Sequence, residues 1–422
     1  MTRSPRPSGY VNHVSFQDLQ EILGPDFKEA LRTGITTVFA ELGLKIAEAI
    51  IDGEVLSLCG PKSSRKTENQ AVRWGTQPGV MSIRGAKERI TKPRVRTADG
   101  KNEIALETYS ALHSGSVLTE DVLARIGSGV STRQYVKTID KQLRKHGVSK
   151  SAVSRRVIAS TKTALDEFHK RSWRDIKFAA ILIDGVHFGK THAVAAVGID
   201  KSGRKHVLGW QLGSTESQVV CRDMIRKLID AGLNPDGHYL FVLDGSKALK
   251  QAVKLTFGDR SVIQRCQEHK IRDVEGYLPR RLKDRFRIKI QAAYNERSYR
   301  TAAQRLEKTR LELLSVCEGA ANSLVEGMEE TLTLHRLGIF GGVRDSLRTT
   351  NIIESAFARL RQRTSNVSNW SADDQVNRWL AFTLPKVESG FRRLPGFRQL
   401  AKLQRKVQEH QTALQTLSLI HI

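Results

Sequence analysis

The sequence has no apolar run approaching the roughly 18 residues that a membrane span requires, so no transmembrane helix is predicted. Its first stretch, MTRSPRPSGYVNHVSF, carries basic residues but no apolar h-region and does not read as a secretory signal. Cysteine is scarce: Cys59, Cys221, Cys266 and Cys317 are scattered and make no disulfide framework, which suits a reducing cytoplasm. No phosphate-cradling loop is found, because GPKSSRK lacks the spacing, and no Gly-x-Gly-x-x-Gly follows a strand. Internal repeats and low-complexity tracts are absent too. Acid is in deficit: 44 Asp+Glu against 69 Lys+Arg leave a formal net charge of +25 over 422 residues. With nucleotide-cofactor motifs excluded, that excess points to a polyanionic partner, nucleic acid first and an anionic membrane second.

What is present divides along the chain. Residues 16–58 read as helices, from helical spacing in FQDLQEIL and TTVFAELGLKIAEAII. From Pro61 to Lys101 the chain is polar, Gly/Pro-punctuated and basic, with 11 Lys+Arg against 3 Asp+Glu, and reads as a linker or arm, solvated or DNA-contacting. Residues 131–162 suggest two helices, STRQYVKTIDKQLRK and SKSAVSRRVIASTKTAL, broken at HGV. That resembles a helix-turn-helix whose second helix presents Lys150, Arg155 and Arg156 to DNA; a plain helical hairpin is the alternative. The middle then alternates: FAAILID (178–184), HAVAAVGID (192–200) and KHVLGWQL (205–212) are β-type, 216–233 is helical, YLFVLD (239–244) is β-type, 247–257 helical, and SVIQ (261–264) a last short strand. This predicts a mixed α/β layer covered on both faces, followed from about 268 to 337 by an almost wholly helical segment. The apolar end LSLIHI reads as a truncation or sequencing scar and is left out of the fold argument.

Three carboxylates stand out in a basic chain: Asp184 in FAAILIDG, Asp244 in YLFVLDGS and Glu354 in TTNIIESA. Singly each has an ordinary explanation. Asp-Gly is a favoured way to leave a strand, and Asn351-Ile-Ile-Glu354 fits a capping box with Asn351 as N-cap. Together they supply carboxylates from separate elements, as two-metal phosphodiester chemistry needs, since Mg²⁺ prefers hard oxygen ligands.

At these residues the chain resembles a known family. VLDGSKALKQAVKLTFGDRSVIQRCQEHKIRDV, with LGWQLGSTES before it and RTTNIIESAFARLRQRT after it, is similar to the mutator-type DDE transposases of bacterial insertion sequences, from roughly residue 60 to 400. Sixty residues separate the aspartates and 110 separate the second from the glutamate, as in that family. The resemblance implies an α/β, RNase H-like mixed-sheet core interrupted by an all-helical insertion, behind a helical N-terminal DNA-binding region. The implied divisions are 1–60 helical, 61–101 arm, 102–172 helix-turn-helix-like, 173–267 core, 268–342 insertion and 343–416 core again. It implies Asp184, Asp244 and Glu354 as catalytic metal ligands for two Mg²⁺ or Mn²⁺ ions. Cutting of double-stranded DNA at terminal inverted repeats, strand transfer, no ATP, no covalent protein–DNA intermediate and a homodimer or larger assembly follow by the same analogy. A silent transposase-derived DNA-binding protein and a structure-specific nuclease of the same fold are the alternatives.

Other residues carry smaller expectations. Cys266 and His269 form half a zinc spacing without a second half, so zinc is not expected; the family carries the same pair beside its site, which implies a structural or DNA-positioning role. His187 either faces the site or caps a turn, with the cap favoured, and Glu216 either faces the pocket or serves as a first-turn helix acid. Arg359, Arg361 and Arg363 follow Glu354 and are expected to contact DNA, Arg361 lying two turns on; RRLKDRFRIK (280–289) offers a second basic surface. Asp273 and Cys221 depart from the family's usual Asn and aromatic residue.

Overall fold

The computed structural model describes residues 35–62, 71–83, 86–114, 150–188, 191–258, 261–365, 367, 370 and 373–420. The chain forms two compact units, Met1–Ser160 and Thr161–Ile422.

In the first unit, helix α1 (Ile35–Cys59) buries Ala47, Ile51, Val55 and Cys59, one residue per turn. This stripe shares a core with Met81, Ile90 and Val95 of a hairpin made by β1 (Ala71–Ile83) and β2 (Ala86–Thr97). The short strand β3 (Glu103–Ile104) completes the sheet, and helix α2 (Glu107–Ser114) follows. The Glu54 carboxylate of α1 accepts from the backbone N–H of Glu107 (2.6 Å) and Thr108 (3.0 Å), satisfying donors that the start of α2 leaves open. The stretch from Pro61 to Lys101, expected as a linker or arm, therefore contains a hairpin. A bulge between Arg73 and Thr76, with Gly75 at φ +86°, breaks the period-2 pattern and hides these strands from a sequence reading. The helix expected from FQDLQEIL, the first helix of the proposed helix-turn-helix and the side chains of LSLIHI lie outside the described residues.

Helix α3 (Lys150–His169) leads into the second unit. There β4 (Phe178–Phe188), β5 (Thr191–Asp200) and β6 (Lys205–Leu212) form an antiparallel meander, and helix α4 (Gln218–Asp230) crosses to β7 (Leu240–Leu243). Helix α5 (Lys247–Phe257) then leads to β8 (Val262–Arg265). The sheet order is β6-β5-β4-β7-β8, with β7 parallel to both β4 and β8. β7 is buried on both faces, which is why it reads as an unbroken apolar run.

Seven helices follow in a row: α6 (Gln267–Gly276), α7 (Arg280–Asn295), α8 (Tyr299–Leu314), α9 (Glu318–Val325), α10 (Met328–Thr331), α11 (Thr333–Arg336) and α12 (Gly342–Leu347). Helices α13 (Asn351–Arg363), α14 (Asp373–Glu388) and α15 (Leu400–Ile420) close the chain. Alternation along the strands sorts the core into two layers. Leu182, Ala195 and Val242 pack with Ile353, Phe357 and Leu360 of α13, Leu380 and Leu384 of α14, and Leu403 of α15. Ile181, Ile183, Phe241 and Leu243 pack on the other side with Met224 and Leu228 of α4 and Leu249 and Val253 of α5. Residues from α6 to α9, including Val274, Phe286, Ile290, Leu306 and Leu324, build a separate helical core. The result is a mixed α/β unit whose sheet is covered on both faces.

Candidate active site

Asp184 does not leave a strand. β4 runs on to Phe188, with Asp184 opposite Ala195 and Gly185 opposite Val194. The ordinary reading of Asp184-Gly185 as a turn is thus overturned, and glycine there lets Thr215 pack where a Cβ would come within 3.1 Å of its methyl group. Asp184 shares its face with Leu182 and Val186 and is buried. Its Oδ1 accepts from the Gly185 N–H at 2.8 Å, while Oδ2 is buried without a hydrogen-bond partner. Asp244 does end its strand. Ile183 is in register with Leu243, so the two aspartates occupy the next positions on neighbouring parallel strands, about 4.8 Å apart across the sheet. Asp244 Oδ1 accepts from the Ser246 N–H at 2.8 Å, and Ser246 caps α5.

Glu354 lies in the first turn of α13, but the capping box does not form. Thr350 is the N-cap and Asn351 the first helical residue, so Glu354 sits one position too far along to reach back. Its Oε1 accepts instead from Arg272 Nη1 at 2.9 Å. Asn351→Ala is accordingly expected to shift stability by less than about 0.5 kcal/mol in urea unfolding, where a lost N-cap costs about 1 kcal/mol.

His269 joins the site, a placement that Cys-x-x-His hid. Cys266 is the N-cap of α6, its Sγ accepting from the His269 N–H at 3.5 Å, and this points the first turn at the carboxylates. His269 Nε2 lies 4.0 Å from Asp184 Oδ1 and 3.9 Å from Glu354 Oε1. The Thr350 hydroxyl meets both Cys266 Sγ (3.5 Å) and His269 Nδ1 (3.4 Å), tying α6 to the start of α13. Ligand atoms of Asp184, His269 and Glu354 all lie within 4.8 Å of one another. Asp244 stands beside this trio, and its charge acts on both Asp184 and His269.

The electrostatics follow from crowding acids in a dry site. Burial pushes the Asp184 carboxyl up to about 7; the His269 charge and the nearby Thr350 hydroxyl oppose the rise, and the charges of Asp244 and Glu354 add to it. For His269 burial works against the imidazolium, but Cys266, Asp184 and Asp244 outweigh it and raise the ring to about 9. An orphaned buried carboxylate oxygen, with the Glu354 carboxylate in reach, suits a hard divalent cation.

The profile of the Mutator family of transposases matches residues 15–393. The chain belongs to that family. It is 24% identical over 382 residues to the transposase for insertion sequence element IS256 in transposon Tn4001 of Staphylococcus aureus, covering 87% of this chain and 93% of that protein. It is 28% identical over 345 residues to the transposase for insertion sequence element ISRM5 of Rhizobium meliloti, covering 80% and 82%. To the transposase for IS406 of Burkholderia multivorans it is 27% identical over 338 residues, covering 74% and 81%.

The remaining expected positions of this transposase divide. On α13, Arg359, Arg361 and Arg363 are all exposed but do not form one row. Arg361 lies on the Glu354 side and donates through Nη1 to the His187 carbonyl at 3.2 Å. Arg359 and Arg363 are turned elsewhere, close enough to Lys205 and Lys386 to lower those ammonium groups after burial has done so. Helical spacing explains it: 700° separates residues 354 and 361, whereas 359 and 363 fall on the opposite side. His187 is paired with His192 within the β4–β5 ladder, ring centroids 4.2 Å apart. Glu216 precedes Ser217, the N-cap of α4, so it is not a first-turn acid. It and Asp244 add to burial in raising the Cys221 thiol to about 12. Asp273 pairs with Arg265 at 3.0 Å. Lys150, Arg155 and Arg156 belong to α3, where Arg155 is exposed and the side chains of the other two lie outside the described residues. Among the described residues no helix is long and apolar enough to cross a membrane.

Proposed function

We propose that this transposase cuts double-stranded DNA at the terminal inverted repeats of its insertion sequence and joins the freed 3′ ends to target DNA. The convergence of Asp184, Glu354 and His269, with Asp244 next in register to Asp184, carries the reading. In this view the second unit is an RNase H-like core, and the all-helical stretch 268–342 is an insertion that supports DNA. Asp184, Asp244 and Glu354 would hold Mg²⁺ or Mn²⁺, which when bound activates the attacking oxygen and neutralises charge on the phosphate. The aspartates are fixed by the sheet and Glu354 by a helix packed on it, so the backbone that carries the ligands is preorganised. In the first step water attacks the scissile phosphorus in line, the 3′ oxygen leaves and takes a proton, and a 5′ phosphate remains. In the second the 3′-OH attacks a target phosphodiester, one P–O bond replacing another, so neither ATP nor a covalent protein intermediate is needed. Arg272, now on Glu354, and Arg361, beside β4, are arginines near the carboxylates that could meet phosphate oxygens. Two ends handled together call for a homodimer or larger assembly, working on DNA in the cytoplasm.

The test is strand transfer. With Mg²⁺ or Mn²⁺, a labelled duplex carrying the element's end should become covalently joined to a plasmid through its 3′ strand. Cleavage of any duplex alike, with no joined product, would make the protein a nuclease; no DNA turnover at all would leave a silent DNA-binding descendant.

A further inference from the structure

A second cavity lies next to the carboxylates. It has a volume of about 330 Å³ and is bounded by the first turn of α6, the last turn of α7 and residues 345–351. Its position is set by the site itself. Gln267 is two residues before His269, Asn351 is one turn before Glu354, and the Gln267 N–H donates to the Arg348 carbonyl at 2.9 Å. The lining is unusually rich in amides: Gln267, Gln291, Asn295 and Asn351. Gln267 is 3% exposed, and while its Nε2 donates to the Thr331 carbonyl, its Oε1 is buried without a partner. Such an oxygen costs free energy until a donor reaches it.

The charge around the cavity argues against an anion. Among the described residues Arg348 is the one lining cation, already donating to Asn295 Oδ1 at 2.8 Å and 3.9 Å from Asp345, and Glu268, paired with Arg287 at 2.9 Å, adds a second carboxylate to the wall. Uncharged amides with carboxylates favour a neutral planar group bearing both donors and acceptors, which is the description of a nucleobase edge: amides pair with adenine N6/N7 and carboxylates accept from exocyclic amines. Resting on the DNA-cutting reading above, we propose that this cavity receives one unstacked base of the nucleotide adjoining the scissile phosphate, holding the strand while the carboxylates act. Gln267, Gln291 and Asn351 are then the positioning residues that read that base.

Fluorescence decides it. The probe is the element-end duplex with 2-aminopurine on either side of the cleavage site, bound in Ca²⁺. Wild-type protein is expected to brighten one position severalfold, and Gln291→Ala to cut that rise at least threefold while binding by anisotropy stays within about threefold. In Mg²⁺, Gln291→Ala should cut the normal duplex at least tenfold more slowly but match wild type on a duplex that is abasic at that position. A wild type that cuts DNA without brightening either position, or a variant equally slow on both duplexes, overturns the cavity assignment alone. Failure of wild type to cut any duplex removes the underlying reading instead.

Discussion

Asp184→Asn is expected to lower DNA cleavage by at least about a thousandfold and, with metal removed, to make the protein more stable at pH 8. On the proposed reading, the first effect is the loss of a charged oxygen donor from a preorganised metal site. The second follows from burial. The Asp184 carboxyl ionises near 7 in the folded chain against 3.8 ordinarily, so the folded state holds its proton more tightly than the unfolded one. Its contribution to stability is complete below about pH 3.8 and is lost as pH rises through 7. His269 runs in the same direction, complete below its ordinary 6.5 and lost as pH rises through about 9. Metal-free protein should thus weaken steadily between pH 4 and 9, and a bound divalent cation should restore most at the alkaline end. Asparagine removes the Asp184 part, so the variant should melt above wild type at pH 8 in EDTA. Thermal unfolding in EDTA and in Mn²⁺ from pH 4 to 8 reads both. If Asp184→Asn melted below wild type at pH 8 in EDTA, or kept a manganese-induced rise in Tm, the metal assignment would fail.

Gly245→Ala should destabilise the fold by about 3 kcal/mol or more and reduce cleavage with it. Gly245 follows Asp244 at φ +119°, a conformation that L side chains rarely adopt. A Cβ there would overlap Arg265 Nε and lie 2.8 Å from its Cζ. Arg265 cannot yield cheaply. It is buried, donating through Nη1 to the Glu326 carbonyl at 2.9 Å and through Nη2 to Asp273 at 3.0 Å. Strain at 245 therefore passes to the backbone that aims Asp244. Gly258→Ala is the control: φ is +56°, the space is open, and the cost should be about 1 kcal/mol. Equal urea midpoints for the two variants would contradict this account.

The same glycine shows how ordinary and functional readings can coincide. At Asp244-Gly245 the turn is real and the carboxylate still faces the site, whereas at Asp184-Gly185 the turn signal was misleading because the strand continues. Turn propensity is local; whether a strand goes on is decided by a partner strand, here β5, that supplies hydrogen bonds past the glycine. The capping-box pattern at Asn351 failed for a related reason. The helix starts one residue before the pattern implies, at N-cap Thr350, and Arg272, 82 residues earlier in the sequence, holds the Glu354 carboxylate instead.

Sequence alone determined the strands and most helices of the second unit, because β-branched runs and helical spacing are local signals that the core then rewards. It also singled out three carboxylates, two in apolar β-type runs and one opening a helix, since such acids are out of place in a chain of +25. Tertiary structure alone decided who joins them. His269 enters through a cysteine cap, Arg272 through a helix packed across the site, and Arg361 without Arg359 or Arg363 through helical phase. Strand order and register set those distances, and neither is written in the spacing of residues along the chain.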